Sequence, residues 1–259
     1  MTRRTGKRST TADTENGGLA WMLGAPGHAE GYFAQSRSLA LSFVLIAPVL
    51  LVYEFALIHY PPVQDRKAGQ FLRDILTSVF QGRAGMALNL AVLLLLLLAI
   101  IVLAGRGRLH LGLVFPMVLE SAGWAALLVG IGICCRLALN GHAENVTEEV
   151  IRSMGAGVYE EILFRLLLTS LLYLVGLRLF RKRSGDAAVF AVVLGALAFA
   201  LCHRPGHPIY FLFHFSSGVV FSGLYIWRGL GVAVYTHVIY NVIVVLAGNL
   251  RPPGGWPFP

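Results

Sequence analysis

Charge is scarce in this sequence. Only 13% of its 259 residues are Asp, Glu, Lys or Arg, where a water-soluble domain carries about a quarter, and the mean hydropathy is +0.70. That excludes an ordinary soluble enzyme. Cysteine is scarcer still: Cys134, Cys135 and Cys202 all fall inside apolar runs and two are neighbours, so no disulfide framework is encoded. Acidic residues are few, 13 against 21 basic ones, for a net charge of +8. The basic residues lie in tails and short loops between apolar runs, which argues against nucleic acid as a partner and for anionic lipid and topology signalling.

What the sequence holds in quantity is apolar helix. A spanning helix needs roughly 20 predominantly apolar residues, and such runs occur at Ser38–His59, Met86–Ala104, Leu111–Cys135, Ile151–Leu177, Ala187–His203, Ile209–Trp227 and Leu230–Leu250. The expected fold is therefore all-α, a polytopic transmembrane helical bundle of about seven spans over residues 38–250. Between the first two spans, Arg66–Phe80 carries Phe71, Leu72, Ile75, Leu76, Val79 and Phe80 at helical spacing with Arg73 and Asp74 opposite, the pattern of a helix lying in the interface. Residues 1–37 are basic, rich in Gly, Ser and Thr and without helical periodicity, and read as a mobile tail; 251–259 read as a short C-terminal tail. The first run has spanning length and no small-residue cleavage site after it, so it is expected to remain as a helix.

Lys and Arg excess marks the cytoplasmic face of a membrane protein. With the N-terminus inside, twelve basic residues fall on the inner side and eight on the outer. This predicts an integral membrane protein with a cytoplasmic N-terminus.

Ionisable side chains within spanning helices are costly and usually face a bundle interior or a cavity. The fourth span carries Glu160, Glu161 and Arg165. Glu161 and Arg165 are four apart, on one face, with the acid N-terminal, the better orientation for an ion pair. Glu160 points about 100° away and has no cation on its own helix, which leaves it free to accept a proton. The cluster is either such a base with its companion or a buried lock on helix packing. Phe199 and His203 share a face at the end of the fifth span, and His237 and Asn241 share one deep in the seventh; the second pair could equally be an interhelical hydrogen-bonding device. Asn145 can cap the fourth helix, with Glu148 able to return the bond in a capping box. Glu148, Glu149 and Arg152, beside that start, read as a solvated cap. In alternating spans the three inner clusters lie towards one side of the bilayer, His203 shallowest unless its helix continues past it.

Glu160-Glu161-x-x-x-Arg165, Phe199-x-x-x-His203 and His237-x-x-x-Asn241, in that order on successive polar helices, resemble the CPBP family of intramembrane proteases. That family includes the type II CAAX prenyl endopeptidases (Rce1-like) and the bacterial bacteriocin-processing and abortive-infection proteins. The resemblance covers about residues 145–250, the expected catalytic core. It implies hydrolysis of a peptide bond near the end of a membrane-associated or lipid-modified protein substrate. Glu160 then matches the glutamate that activates water, His203 the histidine that helps hold it, His237 and Asn241 the oxyanion pair, and Glu161 and Arg165 a supporting pair. The short chain and basic tail suggest a bacterial protein of the inner membrane.

Other chemistries stay open at this level. Two histidines and a glutamate, His203, His237 and Glu160, could hold zinc with an open position, but His-Glu-x-x-His is absent, and the reading favours no metal and no cofactor. Cys202 and His203 are sequence neighbours and point about 100° apart on a helix, which disfavours a thiol dyad. His207 and His214 have no motif partner. Glu54 and Glu120 are either cavity residues or partners of another helix. A catalytically silent scaffold or immunity protein is the alternative from a different class, and a proton-coupled carrier a more distant one.

Overall fold

The computed structural model describes residues 31–59, 111–134, 145–203 and 208–249, together with seven helical positions between 91 and 105. Among the described residues there is no strand. The helices are α1 (Tyr32–Ser36), α2 (Leu39–His59), α3 (Val114–Cys134), α4 (Val146–Leu179), α5 (Ser184–Cys202), α6 (Pro208–Arg228) and α7 (Leu230–Asn249). Six of these, α2 to α7, are long and apolar enough to cross a membrane. The chain is a polytopic helical bundle, as expected. The Met86–Ala104 run falls mostly outside the described residues; Leu94, Leu97, Leu98 and Ile101 within it are helical and exposed. The Arg66–Phe80 stretch and the C-terminal tail lie outside the described residues, as do residues 1–30. The last part of the expected mobile tail is not loose: α1 is a helix, and its Ser36 is fully buried.

α4 is longer than its apolar run. It starts at Val146, where the side chain of Asn145 accepts from the Glu148 amide at 3.2 Å. Only half of the expected capping box forms, because the Glu148 carboxylate pairs with Arg152 one turn on. From Ile162 to Thr169 the helix widens to π-helical geometry. There the hydroxyls of Thr169 and Ser170 donate to the carbonyls of Phe164 and Arg165, five residues back, at 2.8 and 3.5 Å. Such widened turns are frequent at functional sites, and this one follows directly on Glu160 and Glu161.

α7 packs against α4 and α3, and α6 against α5. Small residues allow the close approaches: a Cβ on Gly218 of α6 would lie 2.9 Å from the Ala196 backbone of α5. Gly229, between α6 and α7, has φ +89°, and a Cβ there would also meet the Arg37 backbone at 3.0 Å.

Both acids that the sequence left open are partnered. Glu54 on α2 accepts from the Tyr159 hydroxyl of α4. Glu120 on α3 takes both Nε and Nη2 of the buried Arg228 at 2.6 Å each, and the Tyr32 hydroxyl at 2.6 Å. Arg228 also donates to Ser36 at 3.0 Å and lies over the Phe33 ring at 4.4 Å. The cluster ties α1 to α3 and α6.

Candidate active site

Three motifs from helices distant in sequence surround one cavity of about 440 Å³ between α4, α5, α6 and α7. Glu160, Phe199, His203, His237 and Asn241 all line it. Glu161 and Arg165 stand behind the wall, with side chains 0% and 1% exposed.

The backing is built first. Arg165 Nε lies 3.2 Å from Glu161 Oε2, the ion pair that their four-residue spacing called for. The guanidinium is packed against three rings, 4.5 Å from Phe199, 5.2 Å from Phe221 and 5.9 Å from Phe164. The other oxygen of Glu161 holds His237 Nδ1 at 2.8 Å. An ionised carboxylate can only accept, so Nδ1 carries the proton and Nε2 is turned to the cavity. Phe221 stacks on the same imidazole, 4.6 Å between centroids and 21° between planes.

His203 is fixed in a similar way. Its Nδ1 is 2.8 Å from the Phe199 carbonyl, which again makes Nδ1 the donor and Nε2 the free nitrogen. The Phe199 ring lies 4.3 Å from the imidazole.

Glu160 is where the two imidazoles meet. Its Oε2 lies 3.6 Å from His203 Nε2 and 3.8 Å from His237 Nε2. The acid that has no cation at i, i+4 spacing on its own helix is thus faced by imidazoles from two others. Both separations exceed a direct hydrogen bond and are of the size a bridging water spans. The depth difference expected for His203 does not arise. α5 does end at Cys202, yet His203 at its C-cap comes within 3.6 Å of Glu160.

Asn241 lines the cavity with one amide N–H already given to the Ser153 carbonyl at 3.3 Å, which leaves its second N–H and its oxygen. Arg152 pairs with Glu148 and, at 3.2 Å, with Glu149; all three are partly exposed, as a solvated cap should be, although Glu149 also reaches the cavity wall. Cys202 is exposed and is not among the lining residues. His207 lies outside the described residues. Sequence reasoning missed His214 and Phe221, both on α6 and both in contact with a motif histidine. Among the described residues, no group of three His, Cys, Asp or Glu side chains is arranged to hold a metal ion.

Comparison with known families places a match on the same segment: residues 144–243 fit the family described as Type II CAAX prenyl endopeptidase Rce1-like. No curated protein and no solved structure matches the chain.

Proposed function

We propose, from the premise that residues 144–243 match the Rce1-like family of type II CAAX prenyl endopeptidases, that this chain is an intramembrane endopeptidase of the glutamate type. The observation that carries the reading is Glu160 Oε2, 3.6 and 3.8 Å from two imidazole nitrogens whose ring partners are already committed. A water between them can donate one hydrogen to the Glu160 carboxylate and the other to an Nε2 lone pair, which orients its oxygen lone pairs to a substrate carbonyl. Glu160 takes the proton as the water oxygen bonds to the carbonyl carbon. The resulting oxyanion accepts from the remaining Asn241 N–H and from His237 when its Nε2 is also protonated, a charge that the Glu161 carboxylate balances. On collapse the C–N bond breaks, and the proton on Glu160 passes to the departing amine.

The substrate is a membrane-associated or lipid-modified protein cut near its end. The Lys and Arg distribution supports a cytoplasmic N-terminus, and the basic residues 3–8 fit a bacterial inner membrane. Mass spectrometry of membrane proteins from cells expressing native protein or Glu160→Gln tests the reading. New termini should appear with the native protein and vanish with the variant. Identical termini in both would favour the silent scaffold or immunity protein.

A second reading is a zinc hydrolase: His203, His237 and Glu160 are donors of the type that zinc takes, although among the described residues no three such side chains are arranged to hold a metal ion. Chelation of the purified protein separates the two. Cleavage that survives metal removal supports the glutamate mechanism; cleavage lost and restored by zinc supports the metal.

A further inference from the structure

His214 lies outside every motif of the site, yet it lines the cavity beside Glu160 and His203. Its ring stacks on His203 with 4.5 Å between centroids and 27° between planes. Its Nδ1 is 2.6 Å from the Tyr210 carbonyl one turn back on α6, so the ring is held to its own helix just as His203 is held to Phe199. The geometry explains why a support is needed. His203 caps the C-terminus of α5. Phe199 is 4.3 Å from His203 and 6.4 Å from His214, so His203 sits at the corner of a near right angle between the two rings rather than sandwiched by them. Phe199 braces the ring from α5 itself. His214 is the ring that braces it from another helix.

We propose that His214 is a positioning residue of this site: its ring, carried by α6, holds the His203 imidazole in the plane that presents Nε2 to Glu160. This rests on the protease reading and deepens it. The charged and titratable groups around the pair are Glu160 and Arg165 on α4, with Glu149 of α4 and His237 and Tyr240 of α7 on the walls of the same cavity. A ring that acts by contact needs its flat face and not its proton, so phenylalanine should replace it and alanine should not.

The test compares His214→Ala, His214→Phe and Glu160→Gln in membrane vesicles, following the rate at which Glu160-dependent termini form. His214→Ala should lower kcat about tenfold, the effect of losing one aromatic pair at the reacting groups, with KM within about twofold. His214→Phe should recover at least half of the native rate, and the pH profile should keep its shape in both variants. Native rates in His214→Ala would overturn the proposal. So would a His214→Phe variant as slow as His214→Ala with a changed pH profile, because the proton and not the ring would then matter. A second readout needs no cleavage. In protein with labelled histidines, the ring-current displacement of the His203 imidazole signals should be lost in His214→Ala and kept in His214→Phe; unchanged signals in His214→Ala would show that the stack does not hold. If Glu160→Gln leaves every terminus in place while the ring signals respond as stated, the protease reading fails and the stacking stands.

Discussion

At the scale of single residues, the two adjacent glutamates have opposite surroundings and should fail in opposite ways. Glu160 faces a cavity and two imidazoles; Glu161 is wholly buried between Arg165 and His237. Replacing Glu160 by Gln keeps the shape and removes the proposed base, so cleavage should fall about 10²–10⁴-fold while the melting temperature in detergent stays within about 2 °C of native, the mark of a change worth under 1 kcal/mol. Replacing Glu161 by Gln leaves the Arg165 guanidinium buried without its counter-charge, which should cost about 3–5 kcal/mol and appear as a clear drop in the same melting curve. A Glu160→Gln protein that melts like Glu161→Gln would mean that both acids are structural.

The parts of the site that were legible in the sequence are those set by spacing on one helix. Glu161 with Arg165 is an i, i+4 pair, and the helix brings it together whatever else the bundle does. The grip of Glu161 on His237 spans 76 positions and rests on how α7 crosses α4, which spacing does not encode. His214 was unreadable for the same reason: its partner belongs to another helix, and an isolated histidine in an apolar run has no pattern to mark it.

At the scale of helices, the site depends on close packing at glycines. A methyl group on Gly218 meets the Ala196 backbone, which cannot swing aside as a side chain can. Gly218→Ala should therefore cost about 1–3 kcal/mol by overpacking α6 on α5, and it should slow cleavage, because α5 carries His203. A methyl group on Gly123 of α3 would meet nothing within 4 Å, and Gly123→Ala should melt like the native protein. Equal melting of the two variants would contradict the packing described. The sequence located these helices well, since long apolar runs suffice for that; the apolar run of α4 begins at Ile151, and the Asn145 cap read from the sequence is where the helix begins, at Val146. Hydropathy detects where a helix meets lipid, whereas the Asn145 cap sets where hydrogen bonding begins.

At the scale of the whole molecule, α1 is clamped through Tyr32, Glu120 and Arg228. Burial, with the Glu120 hydrogen bond next, pushes the Tyr32 hydroxyl up to about 12. A tyrosine whose folded value exceeds its unfolded one, about 10, contributes stability that is intact below pH 10 and is lost as pH rises towards 12. Melting between pH 8 and 11.5 should show a decline above pH 10 that is smaller in Tyr32→Phe. A parallel decline in both would show that the clamp does not depend on the Tyr32 proton. The distribution of charge also bears on the whole molecule. If the N-terminus is inside and the seven expected spans alternate, the end of α7 falls outside, so alkaline phosphatase fused after α7 should be active in a bacterial host and a fluorescent protein fused there should stay dark; the reverse would invert the proposed orientation.

Everything in the proposed chemistry depends on one solvent molecule held by groups from three helices. A high-resolution structure of the protein in lipid tests that directly. We expect density for an ordered water within about 3.2 Å of both Glu160 and His203 Nε2, with His237 Nε2 turned to the same cavity. Imidazoles turned away from Glu160, with no solvent between them, would contradict the account.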